Sequence, residues 1–191
     1  VASRGLGDVY KRQIDGLFRT LLEQGLTLLR ELRRQAMPTT LAFNLHPSQL
    51  TSPTLADDVG ELLARHETPA TAILFEITEE TMISTPATIL DNLLKLRAMG
   101  CGLSMDDFGA GHSSLDRLCA LPFTQLKLDA TFTRRLRTQP RAALIIRGIV
   151  QLSEALQLPL VVEGVETLEQ QAQLRDLGCT IAQGYLYARP M

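Results

Sequence analysis

Gly102-Leu103-Ser104-Met105-Asp106-Asp107-Phe108-Gly109-Ala110-Gly111 is the stretch on which the reading of this chain turns. The run Gly102-Leu103-Ser104-Met105 reads as a buried strand. It ends in two adjacent carboxylates, and a loop with two glycines follows. Adjacent carboxylates at a strand end repel each other unless a cation or a proton neutralises them, so the arrangement points to a divalent metal site. Taken alone, Asp107 could equally cap a turn while Asp106 faces solvent. The pair gains weight because similar polar strand ends recur along the chain.

On its N-terminal side, Thr85-Pro86 opens a helix, with Thr85 as cap and Pro86 in the first turn, and Gly100 closes it. Earlier still, Leu55, Val59, Leu62 and Leu63 mark one face of a helix over 55–66. Ile14, Leu17, Phe18, Leu21, Leu22, Leu28, Leu29 and Leu32 recur at helical spacing, which predicts an amphipathic helix over 14–36 that Pro38 ends. On the C-terminal side, Pro140–Leu158 is a long helix, and Thr167 with Gln170 forms a capping box for a helix that Gly178 ends. Between these helices lie six strands, 41–45, 71–77, 102–107, 124–129, 159–163 and 180–185. Strand and helix alternate, and the strands are continuous apolar runs, as they are when both faces are covered. The pattern means a parallel α/β architecture. No Gly-rich dinucleotide or P-loop fingerprint follows any strand.

With 191 residues the chain is long enough for one domain with a substantial core, and its 45% hydrophobic and 21% charged residues are ordinary for a globular protein. A formal charge of −2 gives no broad basic surface, which argues against duplex nucleic acid as a partner. A small phosphate ligand is still compatible, because metals supply local positive charge. Cys101, Cys119 and Cys179 form no CxxC pair and cannot all pair internally, so a reduced, cytoplasmic setting is the expectation. No membrane-length apolar run or signal peptide is visible.

Each strand carries a polar residue at or near its C-terminal end: Asn44, Glu76, Asp106 with Asp107, Lys127 with Asp129, Glu163 and Gln183. In a β/α barrel all such ends meet at one face, where barrel active sites sit. Carboxylates with one amide suit hard, oxygen-seeking Mg²⁺ or Mn²⁺. A lysine among acids suits a positive group aimed at water or phosphate. The chemistry suggested is two-metal hydrolysis of a phosphodiester.

Phe43-Asn44-Leu45, Phe75-Glu76-Ile77-Thr78-Glu79, Asp106-Asp107-Phe108-Gly109-Ala110-Gly111, Leu121-Pro122-Phe123, Lys127-Leu128-Asp129, Glu163-Gly164-Val165-Glu166-Thr167 and Gln183-Gly184-Tyr185 resemble, in order and spacing, the EAL domain. That family comprises bacterial cyclic-di-GMP phosphodiesterases. The wording around Arg117–Phe123 and the Tyr187-Ala188-Arg189-Pro190 ending are most similar to EAL domains attached to response-regulator receivers. The resemblance implies a TIM-like (β/α)8 barrel, of which about six strands are present here. It also implies two Mg²⁺ or Mn²⁺ ions, with Asn44, Glu76 and Asp106 at one, Asp106 bridging to a second, and Asp107 and Glu163 at that second ion. Lys127 would position the attacking water or balance charge near it, and Glu163 is also a candidate general base. Glu166 and Gln183 would complete the polar shell, and Glu79 would anchor the Asp-Asp loop. The implied reaction opens cyclic-di-GMP to linear pGpG, in a homodimer governed by an upstream receiver or other sensor domain. No residue is assigned to substrate binding.

The chain departs from the family pattern in places. The glutamate of the Glu-Ala-Leu signature falls before residue 1 on the spacing from Asn44, as does an arginine that typically touches substrate. His112 stands where tyrosine is usual, and Ala110 where threonine is usual. Residues 1–13 show no helical or strand periodicity and resemble the translation of a transposon-type sequencing adapter. They are read as a non-native tail, and 14–191 as a partial EAL domain lacking its first two strands, with little activity of its own. A degenerate EAL domain that binds cyclic-di-GMP as a receptor is the competing reading. An unrelated metal-dependent barrel hydrolase is a third. The retention of Asp106, Asp107, Lys127 and Glu163 favours the enzyme.

Overall fold

Among the described residues, six short strands carry the fold: β1 (Leu41–Asn44), β2 (Ile73–Thr78), β3 (Gly102–Phe108), β4 (Gln125–Leu128), β5 (Leu160–Val162) and β6 (Ile181–Ala182). Their order in the sheet is the order of the sequence. The β1–β2, β3–β4, β4–β5 and β5–β6 pairings are all parallel. The computed structural model describes residues 2–83, 86–110 and 115–189, and for 2–12 and 82–83 the backbone alone. Parallel neighbours need crossover connections, which helices supply. Helix α1 (Ala2–Arg34) precedes the first strand, and the connections carry α2 (Pro47–Leu50), α3 (Leu55–Arg65), α4 (Ala87–Met99), α5 (Leu115–Ala120), α6 (Ala130–Arg135), α7 (Pro140–Ala155) and α8 (Leu168–Asp176). The α/β class is that of the structure and each of the six expected strands is present, but with shifted bounds: 180–185 shortens to Ile181–Ala182, and 159–163 to Leu160–Val162, so Gln183 and Glu163 lie just past their strands. Among the described residues, no helix is long and apolar enough to cross a membrane.

Two compact units divide the chain, Val1–Glu76 with Ser84–Gly102, and Ile77–Ile83 with Leu103–Met191. In the first, Leu22, Leu26 and Leu29 form the buried stripe of α1, at the i, i+4, i+7 spacing of an amphipathic helix. Phe75 is fully buried, with its ring centroid 6.3 Å from Phe18 and 6.5 Å from Phe43. Gly25 lets α1 close on β1, since a Cβ there would lie 2.4 Å from Phe43 Cζ. Asn92 of α4 is buried, and its Nδ2 donates to the carbonyls of Leu50 and Ser52 at 2.8 and 2.7 Å.

Two expectations need correction here. Helix α1 begins at Ala2 and not at Ile14, so the stretch read as aperiodic has helical backbone. Once a packed segment has nucleated a helix, extension fixes one residue per added hydrogen bond, and no proline stands in the way. Pro86 precedes the first helical residue of α4 instead of occupying its first turn, and the expected cap Thr85 lies outside the described residues.

In the second unit, Leu103, Met105, Leu126, Leu128, Val162 and Val165 are buried and form the core. The capping box of α8 is present, with Thr167 Oγ1 accepting from the Gln170 N–H and Gln170 Oε1 from the Thr167 N–H. Helix α8 stops at Asp176, and Gly178 follows in the left-handed region at φ +95°. Helices α5 and α6, six residues each, are too short for apolar periodicity to announce them.

Candidate metal centre

The end of β3 is irregular in a way that matters for its two aspartates. Met105 pairs with Leu126 and Phe108 with Leu128, with a register shift between them. Two residues of β3, Asp106 and Asp107, therefore stand opposite the single residue Lys127 of β4, which is a β-bulge. In a regular strand consecutive side chains point to opposite faces, so only one aspartate could face a given site. Here Asp107 adopts φ +55°, and its N–H donates to Asp106 Oδ1 at 3.0 Å. Aspartate tolerates that left-handed conformation better than most residues. The outcome is that Asp106, Asp107 and Glu163 each offer a carboxylate oxygen, all within 4.8 Å of one another.

Lys127 sits between two members of this group. Its Nζ lies 3.0 Å from Asp106 Oδ1 and 2.7 Å from Glu163 Oε1, and its side chain is 6% exposed. Gln183 Nε2 donates to the same Glu163 Oε1 at 2.8 Å. Burial pushes the Glu163 carboxyl above its ordinary value, the Lys127 ammonium pulls it back, and Asp106 and Asp107 push it further up. Three carboxylates thus converge in a half-buried site, where the Lys127 ammonium pairs with two of them. Three hard oxygen donors this close together fit a divalent cation of the Mg²⁺, Mn²⁺ or Ca²⁺ type. These three residues could hold a metal ion.

Glu79 is buried and grips the loop from two sides. Its N–H donates to the Asp106 carbonyl at 3.0 Å, and its Oε2 accepts from the Gly109 N–H at 3.1 Å. Asp129, counted among the polar strand ends, is a helix cap: its Oδ1 accepts from the Thr131 N–H at 2.9 Å and opens α6. Asn44, the last residue of β1, and Glu76, two residues before the end of β2, are register partners, and the Leu45 N–H donates to the Glu76 carbonyl at 2.9 Å. Glu166 is exposed, and its backbone N–H is held by Gln170 Oε1 at 2.9 Å. Its carboxylate stands outside the Asp106–Asp107–Glu163 cluster. His112 lies outside the described residues. The sequence reading passed over Thr133, whose hydroxyl reaches the Glu163 carbonyl. The capping aspartate followed by Thr131-Phe132-Thr133 was the available signal for the helix that carries it.

Residues 9–190 match the EAL domain family. The chain belongs to that family. This EAL domain is 55% identical over 178 residues to the cyclic di-GMP phosphodiesterase RocR of Pseudomonas aeruginosa, an alignment covering 93% of this chain and 45% of RocR. It is 42% identical over 151 residues to the bifunctional diguanylate cyclase/cyclic di-GMP phosphodiesterase MucR of the same species, covering 79% of this chain and 22% of MucR. The EAL chain thus spans less than half the length of these curated relatives. Among solved structures, the PaMucR phosphodiesterase in complex with c-di-GMP aligns with a TM-score of 0.88 at 36% identity, covering 100% of this chain and 78% of that one. The calcium/cy-diGMP complex of Klebsiella pneumoniae BlrP1 aligns at 0.79 and 30% identity, covering 91% of this EAL chain and 44% of that one.

Proposed function

We propose that this chain is the EAL part of a bacterial phosphodiesterase that hydrolyses cyclic-di-GMP to linear pGpG. The observation that carries the reading is the seating of Lys127 between Asp106 and Glu163, with Asp107 brought into the same cluster by the bulge. Relatives at 55% and 42% identity bear phosphodiesterase names, and a solved relative is a c-di-GMP complex. Asp106, Asp107 and Glu163 would hold Mg²⁺ or Mn²⁺. Asn44 and Glu76 are proposed as further ligands on the family resemblance and their place at strand ends. When bound, such cations stabilise negative charge on phosphoryl oxygens and lower the pKa of water.

The chain's own residues supply the rest. The Lys127 ammonium opposes the burial that raises the Glu163 carboxyl and favours its charged form. Gln183 fixes one oxygen of that carboxylate, so the other is aimed without rotating. Glu79 holds the loop after Asp107 by the Gly109 N–H. A cytoplasmic location, a homodimer and a regulatory receiver or sensor domain belong to the same reading. Full-length protein incubated with cyclic-di-GMP and Mg²⁺ or Mn²⁺ is expected to release pGpG, read by chromatography. Tight binding of the cyclic dinucleotide with no product would make the protein a receptor instead.

A further inference from the structure

The two halves of the cluster lie at the end of β3 and one residue past β5, the strands on either side of β4. Helix α6 touches both. Thr133 is fully buried, and its Oγ1 donates to the Glu163 carbonyl at 2.6 Å. The Glu163 N–H donates to the Leu128 carbonyl at 3.1 Å, so both backbone polar groups of Glu163 are held. The next residue, Gly164, has φ +69° and passes so close to α6 that a Cβ on it would lie 2.5 Å from Ala130 Cβ. On the other side, a Cβ on Gly109 would lie 2.7 Å from Phe132 Cε2, and Gly109 is two residues past Asp107. At the helix start, the Asp129 N–H donates to the Phe108 carbonyl at 3.4 Å.

A helical threonine commonly gives its hydroxyl proton to the carbonyl one turn back. Thr133 gives its proton across to another strand end, where the carboxylate resides.

We propose that α6 is a brace that sets the separation of the Asp107 and Glu163 carboxylates, and that the Thr133 hydroxyl is its positioning group. The proposal rests on the phosphodiesterase reading for its consequence, but it concerns the shape of the metal centre and is testable without turnover. The experiment compares wild type, Thr133→Val and Thr133→Ser in the full-length protein. It measures Mn²⁺ affinity by calorimetry, kcat and KM on cyclic-di-GMP, and thermal unfolding in chelator. Thr133→Val keeps the shape and removes the donor; Thr133→Ser keeps the donor.

The expected result is Mn²⁺ affinity about tenfold weaker in Thr133→Val, the scale set by loss of groups that orient metal ligands. The variant's kcat should fall with KM unchanged, and Thr133→Ser should stay close to wild type. If Thr133→Val does not fold, Thr133→Ala replaces it, with the same loss expected. A variant that melts lower yet binds Mn²⁺ and turns over like wild type overturns the proposal, since that is what a purely structural hydroxyl would do. Equal losses in Thr133→Val and Thr133→Ser overturn it as well. Wild type that binds Mn²⁺ but forms no pGpG would sink the phosphodiesterase reading, while the Mn²⁺ comparison would still judge the brace.

Discussion

Lys127 Nζ stands 2.7 Å from Glu163 Oε1, in a pair whose side chains are 6% and 17% exposed. At that burial the ammonium cannot be replaced by bulk water, and Asp106 depends on it too. Lys127→Met should therefore lower stability by about 3 kcal/mol, the scale for breaking a buried ion pair by removing one partner. Adding Glu163→Gln should restore part of the loss, because it removes one of the carboxylates left unpaired. Urea unfolding in chelator reads both. A Lys127→Met protein as stable as wild type would show that the pair stabilises nothing.

Asp106→Ala should damage turnover more than Glu79→Ala. Asp106 offers a carboxylate oxygen to the cluster itself, whereas Glu79 acts through the Gly109 N–H and the Asp106 carbonyl. Loss of an orienting group costs about 10–100-fold in activity or metal affinity, which sets the scale for Glu79→Ala; Asp106→Ala should exceed it. Rates at saturating Mn²⁺ decide the matter, and equal losses would contradict the assignment.

Gly148 and Gly164 should respond to alanine with opposite signs. Nothing lies within 4 Å of a Cβ on Gly148 in the middle of α7, so Gly148→Ala should stabilise by about 0.5–1 kcal/mol. Gly164 has φ +69° and would place its Cβ 2.5 Å from that of Ala130, so Gly164→Ala should cost more than the roughly 1–2 kcal/mol of left-handed strain alone. Chemical denaturation of the two variants measures the contrast.

The three thiols should label at different rates. Burial pushes both Cys101 and Cys179 up to about 11, whereas Cys119 is exposed. The thiolate is the reactive form, so at about pH 8 a thiol of that kind is ionised in roughly one molecule per thousand. Iodoacetamide followed by peptide mass spectrometry should find Cys119 modified first. Labelling of Cys101 and Cys179 should rise as pH climbs towards their raised values. Cys101 modified as fast as Cys119 in folded protein would refute the assignment.

Much of this was legible because the physics is local. The apolar run ending at Met105 and the paired Asp106 and Asp107 mark a strand and its functional end without help from the rest of the chain. The Thr167–Gln170 cap is equally local. What stayed hidden depends on partners distant in sequence. The bulge at Asp107 exists only relative to the register of β4, and no periodicity records one extra residue. Asp129 looked like a site residue because a strand-end carboxylate and a helix-capping carboxylate have the same sequence signature. Thr133 was invisible because its partner is the Glu163 carbonyl, thirty positions away.

The φ of +55° at Asp107 also shapes what this position can become. Branched and bulky side chains are barred there by sterics, while asparagine and glycine enter the left-handed region at least as readily as aspartate. Either replacement is one base change from an aspartate codon, and either deletes the charge while leaving the bulge intact. The backbone that gathers the three carboxylates therefore does nothing to keep this one. The left-handed turn thus selects for a small class of side chains without selecting for charge, and the carboxylate at this position is specified by something other than the backbone that carries it.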